Sequence, residues 1–371
     1  MKKIAPPSLL LILCFILSTI SLPLVIAVED SWVSKAPMHE ARSGVGVAVV
    51  NGKIYAVGGA GTSGFCAFNE EYDPATDTWM FKTPMPTPRS DFGIAVYHDK
   101  IYCIGGYTIE GAGTDVNEVY DPATDSWETK ASMPSARLGL QANIVNGKIY
   151  LIGGYEWSNG TSVGVSSRTE VYDPVSDTWT FKASIPAPVS YSASAVIDNK
   201  IYVMTSNLNQ IYDAESDSWN TGAPPPVSVV LASAGATEGV FAPERIYVFG
   251  ADADMPYYQL TVRQFTTQSY DPKNNNWTVC DSIPTVRFDA GVAVFNESLY
   301  VIGGYTLESG GSDSFFPSTI FSAVNEQYTP IGNIPEFPSW TPLLIMLAVV
   351  LAVAVVYRHR LHKQNQRREH Q

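Results

Sequence analysis

Four arginines stand at equivalent places along the chain, Arg42, Arg89, Arg137 and Arg287, each shortly after a Pro-containing turn. A guanidinium offers a planar fork of donors that matches a carboxylate, so four around one opening would bind a carboxylated sugar or an acidic peptide. The competing reading is structural, each arginine pairing with an acid of its own neighbourhood. Asp91 and Asp289 follow Arg89 and Arg287 by two residues and share a face with them on an extended strand, where the charges would neutralise. With Glu40 they are the acids placed to give or take a proton at such an opening. Tyr107, Tyr155 and Tyr305 directly follow glycine pairs, and Trp157, Phe65, Tyr257, Tyr258, Phe315 and Phe316 lie further along the same segments. Rings of this kind suit contact with a sugar or a peptide, and they serve equally to pack loops together.

Metal and nucleophile chemistry finds little support. Asp252-Ala253-Asp254 supplies two acids, too few for a calcium loop, and Cys66, Cys103 and Cys280 have no spacing of a zinc site or disulfide framework. No Gly-x-Ser-x-Gly elbow or phosphate-cradling loop occurs. No cofactor is expected.

The elements that would position these residues repeat. Trp recurs at Trp32, Trp79, Trp127, Trp179, Trp219 and Trp277, and a Tyr opens Tyr-Asp seven residues before five of them, at Tyr72, Tyr120, Tyr172, Tyr212 and Tyr270. Glycine pairs punctuate the units at Gly58-Gly59, Gly105-Gly106, Gly153-Gly154 and Gly303-Gly304, with Thr205-Ser206 and Gly250-Ala251 in their place in the fourth and fifth. Each unit reads as four short strands: an alternating one such as Val45 to Val49, a two-residue turn such as Asn51-Gly52, a second strand ending at the glycines, a Tyr-Asp strand, and a Trp strand. The sixth unit lacks a Trp strand, and the segment around Trp32 has no strands before it. Pairing the two completes a ring of six blades, an all-β propeller spanning residues 28–330. The connections from second to third strand hold 5 to 23 residues, while most of the first turns are minimal, so long loops gather on one face.

The glycine pairs, the Tyr-Asp-Pro-x-Thr/Ser-Asp-x-Trp strings and the Met-Pro turns resemble kelch repeats over roughly residues 30 to 330. The resemblance implies a propeller scaffold whose function sits on its loops. Copper-radical oxidases of the galactose oxidase type share the repeat, but they need two histidines at the metal. His39 and His98 are the two histidines of residues 28–330, and they fall on opposite faces of the ring, about a strand's length apart. Similarity to secreted six-bladed kelch mutarotases of the sialic acid type implies acid–base chemistry on a sugar, with Glu40, Asp91 or Asp289 as candidates. The Asp-Thr-Trp strings lack the glycine of sialidase Asp-boxes.

The two ends differ from the middle. Residues 1–27 read as a secretory signal peptide, with two lysines, an apolar run and Ala27 at its end. Residues 340–357 carry no charge and read as a transmembrane helix, with a basic cytoplasmic tail at 358–371. The Pro-containing stalk 331–339, Ile334-Pro-Glu-Phe-Pro-Ser within it, resembles archaeal PEF-type sorting signals, which implies either cleavage of the helix or a permanent anchor. The propeller is then expected at the cell surface, anchored in the plasma membrane, with Asn159, Asn276 and Asn296 as glycosylation acceptors. The chain carries a net charge of −13 even with seven cations in its two ends, so nucleic acid is excluded as a partner. The expected function is binding of a glycan or a surface protein through the loop face. The alternatives are a mutarotase-type sugar enzyme and a structural envelope component.

Overall fold

The alternation that opens each unit forms a strand. In the first unit Gly46–Val50 pairs with Lys53–Val57 through the turn Asn51-Gly52, whose φ angles of 49° and 76° are the left-handed pair that such a hairpin requires. Asn69–Asp73 and Thr78–Lys82 complete an antiparallel four-stranded sheet in chain order. The computed structural model describes residues 30–158, 160–240, 242–254, 261–308 and 318–330. These residues are all-β, and none of them form a helix long and apolar enough to cross a membrane. The signal peptide, stalk, transmembrane helix and tail expected from the sequence lie outside the described residues, as do Asn159, Tyr257, Tyr258, Phe315 and Phe316.

Six such four-stranded sheets follow one another. Their first strands, Gly46–Val50, Gly93–Tyr97, Gln141–Val145, Ala193–Ile197, Val230–Ala236 and Gly291–Phe295, lie innermost, each beside the next and the last beside the first. Six apolar clusters fill the spaces between neighbouring sheets. One of them joins Tyr300 and Ile302 of the sixth sheet to Val47, Ile54 and Tyr72 of the first. A sheet hydrophobic on both faces has no stable surface of its own, so burial between neighbours is what holds each one in place. The outermost strand of the sixth sheet comes from the other end of the chain: Ser31–Lys35 pairs with Asn325–Thr329, Trp32 opposite Tyr328.

The spacing of Tyr, Asp and Trp has a geometric cause. The Tyr72 hydroxyl donates to Asp77 Oδ1 at 2.6 Å, the same oxygen accepts the Ala36 N–H at 2.8 Å, and Trp79 Nε1 donates to the Ala36 carbonyl at 2.7 Å. One turn thereby clamps its own sheet to the preceding one. The clamp recurs with Asp125, Asp177, Asp217 and Asn275, all at φ near 50°, where Asp and Asn are better tolerated than most residues. In the sixth sheet Asp30 accepts from Tyr328, and Trp32 Nε1 donates to the Asp281 carbonyl at 3.1 Å.

Two units depart from the expected pattern. Thr205 pairs with Leu208, so the fourth second-to-third connection is a tight hairpin. In the fifth, strand Ile246–Asp254 runs straight through Gly250-Ala251 and pairs with Thr261–Asp271, so no break occurs where the glycine pair stands elsewhere.

Candidate functional site

The four arginines do not line an opening. Arg42, Arg89 and Arg137 are wholly buried and Arg287 nearly so, and each faces a buried glutamate of its own sheet: Arg42–Glu70 at 2.7 Å, Arg89–Glu118 at 2.5 Å, Arg137–Glu170 at 2.8 Å and Arg287–Glu326 at 2.6 Å. Further donors reach backbone carbonyls, those of Gly58, Gly105 and Gly153 among them, while the Nε of Arg42, Arg137 and Arg287 has no partner within the described residues. Burial pulls the pKa of Arg42, Arg137 and Arg287 down while the paired glutamate holds it up. The expected anion-binding ring is therefore corrected to four internal struts. The chain itself contains the control. Where the arginine is replaced, by Val189 and Val229, the glutamate is replaced by Gln210 and Gln268, whose amides bond both backbone groups of Ala187 and Val227. The fifth equivalent is Val229, whose carbonyl accepts from Ser206 as that of Arg89 accepts from Gly59.

Two residues beyond these positions the chain turns toward the axis. Gly44, Asp91, Gly139, Tyr191, Leu231 and Asp289 occupy six equivalent places, all with φ between 49° and 60°. Their backbones bond from sheet to sheet: Asp91 N–H to Gly44 O, Gly139 to Asp91, Tyr191 to Gly139, Asp289 to Leu231 and Gly44 to Asp289. The left-handed conformation accompanies these five sheet-to-sheet bonds. Glycine adopts it freely and Asp tolerates it, but for Tyr191 and Leu231 it carries a strain of about 1–2 kcal/mol each.

These six residues rim an axial cavity of about 270 Å³, whose walls continue into the innermost strands with Gln141, Ser194 and Ser233. The Tyr191 ring lies across Gly139, where a Cβ would meet it at 3.0 Å. Asp91 and Asp289 meet on either side of Gly44, not each with its own arginine as expected. Burial raises both carboxyls, Asp289 further because Asp91 faces it. Burial and these two acids raise Tyr191 as well, and push Tyr305 up to about 12. The arrangement can hold one proton between two carboxyls beside neutral phenols. Glu40 is exposed, and its neighbour His39 donates its N–H to Glu70 at 2.9 Å and stacks on Phe81.

The loop aromatics gather in part. Tyr107 meets Phe65 edge-on at 5.2 Å and Trp157 at 6.4 Å, a half-buried row across three sheets. Tyr155 begins the strand Tyr155–Ser158 that carries Trp157, while Tyr305 of the sixth unit packs on Phe288 at 5.5 Å. Asn276 and Asn296 are exposed, at a strand start and a hairpin turn. Among the described residues no cluster of metal-ligating side chains forms, and Cys66, Cys103 and Cys280 are free thiols. Tyr191 was missed by the sequence reading. The signal was available, since it stands two residues after Val189 as Asp91 does after Arg89.

Comparison with known proteins supports the repeat. Residues 29–206 match the KLHDC2/KLHL20/DRC7 Kelch-repeats domain. Spermatocyte protein spe-26 of Caenorhabditis elegans is 27% identical over 177 residues, 45% of this chain and 28% of that protein. Kelch-like protein terF of Aspergillus terreus is 27% identical over 158 residues, 39% and 34% of the two chains. Kelch repeat and BTB domain-containing protein 2 of Homo sapiens is 29% identical over 138 residues, 35% and 22%. The chain thus spans about a third or less of the length of these relatives. The solved structure of YjhT covers 76% of this chain and 99% of its own, with a TM-score of 0.61 at 17% identity, a likeness of fold. Over residues 29–206 the chain is thus similar to a Kelch-repeats domain, and its fold is similar to that of YjhT.

Proposed function

We propose that the chain is a closed six-bladed propeller that binds a glycan or a protein at the cell surface, with the axial cavity and the aromatic row beside it as the seat. The observation that carries the reading is Tyr191. At φ 51° it bears a strain that glycine would escape, and its ring walls the cavity rather than an inter-sheet core. A volume of about 270 Å³ takes one group, a single sugar ring or one side chain, near the lower end of small-molecule sites. With the arginines paired internally and two carboxyls at the rim, the favoured ligand is neutral or basic rather than acidic. The six interfaces and the pairing of Ser31–Lys35 with the last sheet support closure of the ring. Export through residues 1–27, anchoring through 340–357 after the stalk 331–339, and use of Asn159, Asn276 and Asn296 are part of the same proposal and rest on the sequence.

A second reading, sugar mutarotation, is favoured by one feature, the Asp91–Asp289 pair, which offers an acid and a base within one cavity. Screening the purified chain against glycan and peptide arrays, then assaying any sugar hit for anomer exchange, separates the two. Exchange abolished by Asp91→Asn would establish the enzyme; binding without exchange would establish the binding protein. Failure of every array to yield a ligand would leave the envelope-component alternative in first place.

A further inference from the structure

Asp91 and Asp289 belong to the second and sixth sheets, which flank the first and do not adjoin one another. Their side chains converge over Gly44 of the intervening segment. A Cβ on Gly44 would stand 2.8 Å from Asp91 Oδ1 and 3.2 Å from Asp289 Oδ2, so the missing side chain is what lets the carboxyls meet. The geometry points to a proton-shared latch: Asp91 and Asp289 hold one proton between them and so join two non-adjacent blades at the axial opening, and loss of that proton as pH rises loosens the opening.

The surroundings supply what such a latch needs. Ser90 donates its hydroxyl to Asp91 Oδ2 at 2.5 Å, and the Gly44 N–H faces Asp289. The other titratable groups facing the pair are the phenols of Tyr191 and Tyr305, both raised by burial and by the two acids and so neutral at physiological pH. Among the described residues no cation bears on either carboxyl, since Arg89 and Arg287 are held by Glu118 and Glu326. Two adjacent carboxylates without a counter-charge cannot both be ionised at little cost. Their shared proton is bound more tightly in the folded chain than in the unfolded one. Stability from the pair is therefore present at low pH and lost as pH rises through the folded titration. This inference concerns the fold alone and stands whether or not the cavity binds a ligand.

Infrared titration of the purified full chain tests it. The protonated carboxylic acid band should persist at neutral pH and titrate at lower pH in both Asp91→Asn and Asp289→Asn, because either change removes the facing acid while the burial of the other remains. Asn adopts the left-handed backbone of both sites, and Asp289→Gly provides a second variant should the amide disturb packing. Between about pH 5 and about pH 9 the melting temperature of the unaltered chain should fall by several degrees relative to Asp289→Asn or Asp289→Gly. Absence of a neutral carboxyl at pH 7, a band unchanged by both substitutions, or parallel melting profiles across that range would overturn the latch.

Discussion

At the scale of single residues, the buried Arg–Glu pairs and the axial positions make opposite demands. Removing one partner of a buried pair strands a charge, so Glu170→Gln should lower stability by about 3–5 kcal/mol in urea unfolding. The chain's own fourth and fifth units show an uncharged solution, so Arg137→Val combined with Glu170→Gln should cost clearly less than Arg137→Val alone. Equal losses would mean that the pair is not coupled. The covariation of Arg with Glu and of Val with Gln is written in the sequence at Glu70, Glu118, Glu170, Gln210, Gln268 and Glu326. Comparing only the arginines with one another hid it, so internal pairing was expected as one of two readings without its glutamate partners being named. At the axis, Gly44→Ala should destabilise for two reasons, a φ of 58° and a Cβ driven against Asp91. A melting temperature unchanged by Gly44→Ala would contradict that packing.

Among the elements, the Tyr-Asp-Trp turn is the one whose sequence spacing translates most directly into contact. Asp77 and Asp177 lie below the usual carboxylate range because the Tyr72 and Tyr172 hydroxyls and backbone N–H groups of the preceding sheet donate to them. A depressed carboxylate stabilises above its unfolded pKa and loses that contribution as pH falls through the folded one, so acid unfolding should begin below about pH 4. Asp77→Asn and Asp177→Asn should flatten that acid limb, following Asn275 in the fifth sheet; an unchanged limb would place acid sensitivity elsewhere. Strand order and turn positions were legible because period-two alternation and Asn-Gly turns are local signals. The long second-to-third connections were not. Thr205 to Leu208 closes as a hairpin and Ile246–Asp254 continues as a strand because pairing with the third strand, a non-local term, decides their ends.

For the whole molecule, the N-terminal strand and the axial cavity carry the account. Deleting residues 28–38 removes Trp32 and Asp30 from the last sheet and exposes Asn325–Thr329 as an open edge, so melting should fall well below that of the full chain. Unchanged melting would remove the closing role of that strand. The axial cavity was only partly legible: the acids at its rim were named from the sequence, while their meeting over Gly44 depends on three sheets converging, which no spacing along the chain encodes. The central claim is that the ligand sits in this cavity against Tyr191. The measurement that tests it most directly is binding of the first array ligand to Tyr191→Gly and Trp157→Ala, beside Lys273→Ala in the exposed turn before Asn276–Cys280 as control. The account predicts that Tyr191→Gly folds, relieved of its strained backbone, and loses binding at least tenfold, while the control binds as the unaltered chain does. Full binding by a folded Tyr191→Gly would place the ligand elsewhere and contradict the claim.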